Sequence, residues 1–360
     1  MGIGRGIFFK FLVILAVVVY VLLGSYKIEP GTAYLKDWSV DLESAKVESS
    51  SSEKVPVEQW IPYRVEDYFG YVQADGTLLL RSPIMWNVAF SDISYCNYSS
   101  RGNNLVVRDP VKGYLYPLML KGYPIGRNGR YYILNSDSTG VSAVSSKGEH
   151  VFSKEFSSMI SSIDSNESFV GIGLLSGGVE VFTDDGSYYG EIKPETSRID
   201  IIYGTALSSR TDNIALVHGI DPQFLSIYQM EESSFQLIHQ IEISRPKRSH
   251  TLLNFSPDGR FLLCETGSDL MVVSIEDFER FSLPIEGRVT DFECVSELES
   301  IYVMVEEEEE TVLYMYSEKG RLYSEERFSG GPQWLRYVDE AIYLGVGSRL
   351  EKISVKRPGV

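Results

Sequence analysis

A glycine-containing hairpin turn recurs along the chain at a nearly constant distance, and this repeat constrains the fold more than any other feature. The clearest turns centre on Gly76, Gly113, Gly148, Gly186 and Gly320. The first four follow one another at nearly equal intervals, and the longer gap before the last contains two weaker turns, near Glu232 and Asp277. A period of about 35 to 45 residues predicts a fold built from similar units, here seven.

Each unit reads as four short β-strands. After residue 62 no segment keeps a helical period over three turns, whereas runs of Val, Ile, Leu, Tyr and Phe alternate with turn residues up to Val355. The clearest example runs from Leu252 to Ile275. Four-stranded units at this period are typical of a β-propeller, whose blades stack around a central channel. We therefore predict an all-β, seven-bladed propeller, with six or eight blades as alternatives.

The ends of the repeat region predict how the ring closes. After the turn at Gly320 come three strand-like segments without an outer fourth: Trp334 to Val338, Ala341 to Val346 and Leu350 to Val355. Thr77 to Arg81 is the predicted fourth strand of this composite blade. Tyr68 to Gln73 would then be a fifth strand, so it is either an extra edge strand or a sign that the blade count is off by one.

One turn resembles a known family motif. Residues Phe255 to Arg260 read F-S-P-D-G-R, as in the bacterial WD40-like propellers, and Asn128 to Arg130 keep the N-G-R part. No unit ends in a Trp-Asp pair, so elsewhere the resemblance lies in the repeat period, over about residues 64 to 357. It implies a ring scaffold that holds other molecules and brings no catalytic residues. We interpret the turn residues as a structural hairpin: Ser256, Pro257, Asp258 and Gly259.

An apolar segment near the N-terminus predicts a membrane helix. From Ile7 to Tyr26 the only charge is Lys10, and a helix of this length spans about 30 Å, the thickness of a bilayer core. Lys10 can extend its ammonium group to the lipid headgroups. The shorter apolar run from Phe11 to Leu23 also fits a secretory signal, but its small-residue cleavage pattern is poor. We predict an uncleaved anchor, with a cleaved signal as the alternative.

The flanking charges predict the orientation of this helix. Arg5 and Lys10 precede the apolar run, so residues 1 to 6 are predicted to be cytoplasmic. Residues 27 to 62, which contain Pro, a Ser run and acidic residues, read as a flexible tether, and residues 63 to 360 as the propeller domain. The prediction is a single-pass protein of the cytoplasmic (inner) membrane, with its C-terminal domain periplasmic or extracellular.

The composition narrows the partners of the folded part. With 43% apolar residues the chain must pack a core, which excludes a disordered acidic protein. The 50 acidic and 33 basic residues give a net charge of −17, which argues against nucleic acid or an anionic lipid surface as the partner of this domain. The three cysteines are too few for a disulfide framework or a thiolate metal site: Cys96, Cys264 and Cys294.

No catalytic, cofactor or metal constellation is visible in the sequence. The four histidines fall in different units, without the spacing of metal ligands: His150, His218, His239 and His250. The segment from Asn135 to Gly140 imitates the start of a calcium loop, but Ser146 stands where a glutamate is needed, so we expect a polar turn. We therefore predict no metal and no cofactor.

Two charged segments stand out. Five consecutive glutamates, Glu306 to Glu310, lie between strand-like segments and are predicted to form a solvated hairpin loop. Arg245, Lys247 and Arg248 form one local basic patch at a connection between units. This patch could contact lipid headgroups or an acidic partner.

These features together favour a non-enzymatic, membrane-anchored propeller outside the cytoplasmic membrane. We expect a protein-interaction scaffold or adaptor with a partner in the cell envelope, acting in envelope assembly or in a membrane complex. The alternative is a sensor or enzyme that binds a small ligand in the central channel. A purely structural spacer is a third hypothesis.

Overall fold

The computed structural model describes residues 33–46 and 60–356, apart from residues 92, 111, 114, 195–198, 233, 268 and 309. In these residues, 31 β-strands form eight separate antiparallel sheets. Consecutive strands pair through short turns, because runs of apolar and aromatic residues are interrupted every few positions by Gly, Asn, Asp or Ser. Each sheet is one blade of a propeller.

The first strand, β1 (Ala33–Asp41), belongs to the last blade. Blade 1 contains β2 (Ile61–Val65), β3 (Tyr68–Val72) and β4 (Leu78–Pro83). Blade 2 contains β5 (Asn87–Phe90), β6 (Tyr95–Tyr98), β7 (Val106–Arg108) and β8 (Leu115–Pro117). Blade 3 contains β9 (Tyr123–Arg127), β10 (Arg130–Leu134), β11 (Gly140–Ser145) and β12 (His150–Glu155). Blade 4 contains β13 (Ile160–Ser165), β14 (Phe169–Leu174), β15 (Val179–Thr183) and β16 (Tyr188–Ile192).

Blade 5 contains β17 (Ile202–Leu207), β18 (Asn213–His218), β19 (Phe224–Glu231) and β20 (Ser234–Glu242). Blade 6 contains β21 (Leu253–Phe255), β22 (Phe261–Glu265), β23 (Asp269–Ser274) and β24 (Arg280–Pro284). Blade 7 contains β25 (Arg288–Val295), β26 (Ser300–Glu307), β27 (Glu310–Ser317) and β28 (Leu322–Ser329), with a short 3-10 turn at Ser296–Leu298. Blade 8 contains β29 (Pro332–Val338), β30 (Ala341–Val346), β31 (Arg349–Lys356) and β1.

The ring therefore has eight blades, and the prediction of seven is wrong. The seven counted turns are the hairpins between the last two strands of blades 1 to 7, for example Gly148 between β11 and β12. Blade 8 has no such hairpin, because its outer strand comes from the other end of the chain. A count of hairpins therefore misses the blade that closes the ring.

Ring closure also differs from the prediction. Strand β1 pairs antiparallel with β31, for example Tyr34 with Val355 and Val40 with Leu350. The predicted closing segment, Thr77 to Arg81, instead lies at the start of β4 (Leu78–Pro83), the last strand of blade 1. Part of the segment predicted as a tether, Ala33–Asp41, thus forms the outer edge of blade 8.

Blade 1 has three described strands, and they correspond to the second, third and fourth strands of the other blades. The hairpin at Gly76 packs on Trp38 of the preceding blade's outer strand, with 3.1 Å between an ideal Cβ at Gly76 and the indole. Gly186 packs in the same way on Phe152, and Gly320 on Phe281. Among the residues described, no strand occupies the innermost position of blade 1.

The core lies in the seams between neighbouring blades. One apolar cluster joins Leu263 and Val272 of blade 6 to Ile301 and Val303 of blade 7. Another closes the ring, with Leu42 and other blade 8 residues against Ile61 and Tyr63. A blade buries both faces only between two neighbours, so the seams make the ring a single unit.

The predicted membrane span, Ile7 to Tyr26, lies outside the described residues. In the described part of the chain no helix is long and apolar enough to cross a membrane. This finding goes against the predicted transmembrane helix and single-pass inner-membrane location, and we do not retain that prediction.

Candidate functional site

The inner strands of the blades line the channel. Polar side chains on two of them contact the inner strand of the following blade. In β13 and β25 the pairing register shifts near the start of the strand, just before Ser162 and Asp291. Ser162 Oγ lies 2.8 Å from Thr205 Oγ1, and Asp291 Oδ2 accepts a hydrogen bond from the Leu335 N–H at 3.2 Å. Ser162 of blade 4 and Asp291 of blade 7 therefore occupy equivalent positions, and each contacts the inner strand of the next blade.

A second set of contacts lies two residues further along the same strands. Asp164 Oδ2 accepts the Leu207 N–H at 2.8 Å, and Glu293 accepts the N–H of Tyr337. Side chains two residues apart point to the same face of a strand, so each pair faces the channel side by side. The inner wall therefore presents Asp164 from blade 4 and Asp291 with Glu293 from blade 7.

These carboxylates line a cavity of about 480 Å³ in the channel. Its wall is built from the inner strands, and the residues just before or after them, of blades 3 to 8. Arg127 and Asn128 border it where the inner strand of blade 3 ends, and both are exposed. We call the face of the ring where inner strands begin the entry face and the opposite one the exit face. Exposed polar groups of the exit face therefore border the cavity.

Burial changes the protonation of all three channel carboxylates. It raises the pKa of Asp164 to about 6, against the opposing effects of the Leu207 N–H and the Arg127 guanidinium. Burial likewise raises the pKa of Asp291 to about 6 and that of Glu293 to about 7, and the charge of Asp291 adds to the latter shift. Near neutral pH these groups therefore change charge easily.

Cationic groups share the cavity with these acids. Arg336 Nη1 lies 3.4 Å from Glu293 Oε1. Burial lowers the pKa of His250, and the nearby charges of Arg127 and Lys247 lower it further. The cavity therefore offers guanidinium donors, carboxylate acceptors and a neutral imidazole, an arrangement suited to holding a polar or charged group of a ligand.

The channel acids should make stability depend on pH. Their folded-state pKa values exceed the unfolded values of about 4, so the folded state binds more protons and stability falls as pH rises from about 4 to 7. In Asp164→Asn with Glu293→Gln, neutral amide oxygens still accept the backbone hydrogen bonds. We expect the free energy of unfolding, measured by urea titration, to fall less between pH 5 and pH 8 in this variant than in the parent.

The exposed hairpin variant Glu276→Gln is the control for this experiment, and it should keep the pH dependence of the parent. An unchanged pH dependence in the double channel variant would show that these carboxylates ionise normally in the folded protein.

The sequence-predicted turn residues lie on the exit face, in the hairpin between β21 and β22. Ser256 Oγ accepts the Phe261 N–H at 2.9 Å and donates to Asp258 Oδ1 at 2.6 Å. Burial acts to raise the pKa of Asp258, but hydrogen bonds from Ser256 and Arg260 outweigh it and hold this pKa at about 2. These hydrogen bonds hold the turn in one conformation. The turn residues do not line the channel cavity.

The arginine that ends this motif has an interblade role that the sequence did not reveal. Arg260 Nη2 lies 2.9 Å from Glu318 Oε1, in the last hairpin of blade 7. Arg130, which ends the N-G-R turn of blade 3, pairs in the same way with Asp184 of blade 4, at 3.0 Å. In the sequence, the arginine that ends both turns was the one signal that could have indicated these ion pairs between blades.

The structure also assembles a Ser-His-Asp chain that sequence spacing did not indicate. His218 Nε2 lies 2.8 Å from Ser226 Oγ, and its Nδ1 lies 3.4 Å from Asp200 Oδ1. Gln240 donates a further hydrogen bond to Ser226 Oγ at 2.9 Å. His218 and Ser226 are fully buried, so no substrate reaches this serine and the chain serves to hold blade 5 together.

The remaining predicted features are spread over the ring. His150 lies in β12 and His239 in β20, and the described residues contain no group of three potential metal ligands. In the calcium-like segment, Asp137 accepts a hydrogen bond from Thr139 within the β10–β11 turn. The glutamate run lies at the β26–β27 hairpin, where Glu306 pairs with Arg288. In the basic patch, Lys247 forms an ion pair with Glu265.

The three cysteines are buried and free. They lie in β6, β22 and β25 of blades 2, 6 and 7, and none of them lines the channel cavity.

Comparison with known proteins agrees with this architecture. The chain is 20% identical to an uncharacterized protein of Treponema pallidum (strain Nichols), over 98% of this chain and 94% of that protein. The crystal structure of BamB from Moraxella catarrhalis superposes with a TM-score of 0.60 at 11% identity, covering 89% of this chain and 100% of BamB. The computationally designed Ika8 protein gives a TM-score of 0.59 at 13% identity, covering 82% and 95%. At sequence identities this low, the two superpositions show a similarity of fold alone.

A family model described as beta-propeller protein matches residues 4–358, nearly the whole length. Together with the eight sheets around a channel, this match shows that the chain belongs to the β-propeller protein family.

Proposed function

We propose that this protein is a non-enzymatic scaffold that binds a partner protein at the exit face of its channel. The observation that carries the proposal is the charged cavity, where acids from blades 4 and 7 and cations from blades 3 and 8 face a common space. A protruding polar loop of a partner fits such a cavity, because the cavity presents both acidic and basic groups that can pair with charged side chains of the loop.

The polar groups of the channel wall also favour binding over catalysis. Asp164 and Asp291 accept main-chain hydrogen bonds from neighbouring strands, and Arg336 pairs with Glu293. Hydrogen bonds of this kind hold these groups in fixed positions in the channel wall, whereas a general acid or base needs a free position beside a reacting group. The Ser-His-Asp chain of blade 5 is closed to solvent.

Site-specific photo-crosslinking tests this proposal. A benzophenone amino acid at Asn128, exposed at the cavity border, should yield a discrete protein adduct in an extract of the native cells. The same group at Lys193, exposed at the end of β16, is the control and should yield none. Arg127→Glu, which reverses a charge at the border, should reduce the adduct at least fivefold. Equal adducts at both sites, or none at Asn128, would refute the proposal.

A second candidate function is the binding of a small polar ligand within the channel. The cavity volume of about 480 Å³ favours it, because ligand pockets commonly enclose about 300 to 1,000 Å³. A thermal-shift screen of the full chain against metabolites would reveal it as a rise in Tm that Glu293→Gln abolishes. No rise across charged and polar metabolite classes would exclude this candidate.

A further inference from the structure

Exposed apolar side chains gather at one end of blade 2, on the entry face. Met119 is 98% exposed, Met85 70% and Trp86 58%. Large apolar residues with this exposure do not contribute to a core, and a group of them marks an interaction site. Blade 2 also has short strands of three or four residues, so its end consists largely of connections.

The strand pairing places these residues together. Trp86 directly precedes Asn87, which pairs with Tyr98 at the end of β6. The next turn contains Gly102, whose carbonyl accepts the Gly122 N–H at 2.9 Å from the β8–β9 connection. That connection carries Met119. The β4–β5 connection, the β6–β7 turn and the β8–β9 connection therefore share one end of the sheet.

Two cations lie on the same connections. Arg101 belongs to the β6–β7 turn and Lys121 to the β8–β9 connection, and both are exposed. Neither forms an ion pair with a residue that the structure describes. The blade 2 sequence from residue 87 to 121 has four basic and two acidic residues, in a chain whose net charge is −17. We name Met85, Trp86, Arg101, Met119 and Lys121 the blade-2 patch.

We propose that the blade-2 patch docks an acidic segment of a partner protein that carries apolar side chains. Its Trp and Met residues supply contact area, and its two exposed cations complement carboxylates of the partner. The inference rests on the proposed function in one respect, that this protein binds other proteins, but it uses a different face of the ring.

The charge balance favours a protein segment over a lipid surface. An anionic membrane acts on the charge of the whole chain, and a net charge of −17 opposes approach to it. Two cations contribute little attraction to such a surface, where stable binding relies on larger basic clusters. A peptide segment contacts the patch alone, so the local excess of basic residues in blade 2 decides its binding.

Binding of a defined peptide to the full chain tests the inference. The probe is a fluorescein-labelled 14-residue peptide of Glu, Leu and Phe, and its affinity is measured by fluorescence anisotropy. We expect Arg101→Glu with Lys121→Glu to weaken binding at least tenfold, and Met119→Ser with Trp86→Ser to do the same. Lys112→Glu with Lys147→Glu makes the same charge change at exit-face hairpins and should alter binding less than twofold.

Two outcomes overturn the inference. One is that the acidic peptide fails to bind the parent protein, or binds the patch variants equally well. The other is that vesicles containing phosphatidylglycerol bind the parent more tightly than the peptide does and lose binding in the same variants, which would assign the patch to lipid. Either result leaves the photo-crosslinking test at Asn128 unaffected, so failure of the patch and failure of the proposed function remain distinguishable.

Discussion

Replacing Leu42 by aspartate should unfold or severely destabilise the ring, at a cost of about 4 kcal/mol or more. Leu42 is 0% exposed and packs with Ile61 and Tyr63 at the seam between blades 8 and 1. Truncating a buried leucine already costs about 2 to 5 kcal/mol, and a buried carboxylate adds a desolvation penalty. Urea unfolding followed by circular dichroism measures the loss.

Leu35→Asp is the matched control, because Leu35 lies on the same part of the chain and is 44% exposed. It should change the free energy of unfolding by less than about 1 kcal/mol. If the two variants proved equally stable, the pairing of β1 with β31 would not hold the ring closed. A protein restricted to residues 60–360, which keeps β2 but lacks β1 and Leu42, should also be less stable than the full chain.

The second large effect is expected from Gly126→Ala, at about 3 kcal/mol. Gly126 lies in β9, where an added Cβ would sit 1.6 Å from the carbonyl oxygen of Phe90 in β5. Backbone cannot move aside as a flexible side chain can, so blades 2 and 3 would have to separate. Thermal unfolding should show a clear fall in Tm.

Gly178→Ala provides the comparison for this substitution. The nearest atom to an added Cβ there is Glu191 Oε1 at 3.2 Å, at the end of a flexible side chain. We expect it to change stability by less than about 1 kcal/mol. A similar Tm for both variants would contradict the close approach of β5 and β9.

Local sequence signals predicted the blades well, because a hairpin is a local structure. The turns at Gly148, Gly186 and Gly320 each join the last two strands of a blade, as their spacing indicated. The count of hairpin turns did not include the closing blade, because its outer two strands, β1 and β31, lie near opposite ends of the chain. No local turn marks that pairing, and β1 lies in a stretch whose neighbours are Ser- and Pro-rich.

The channel acids show a similar limit. Asp164 and Asp291 are single carboxylates in strand-like segments, and nothing around them in the sequence distinguishes them from surface residues. Their partners, Leu207 and Leu335, belong to the inner strands of the following blades and are remote from them in the chain. Burial in the channel wall, which raises their pKa values, exists only once neighbouring blades have come together.

The sequence by itself determined the all-β class, the four-stranded repeat and the hairpin turns, because these depend on alternation of apolar residues and on turn residues that are close in the chain. Only the tertiary structure decided the number of blades, the strand that closes the ring, the charged cavity and the blade-2 patch. Each of these depends on contacts between residues far apart in sequence, which form when blades pack side by side and remove water from the seams between them.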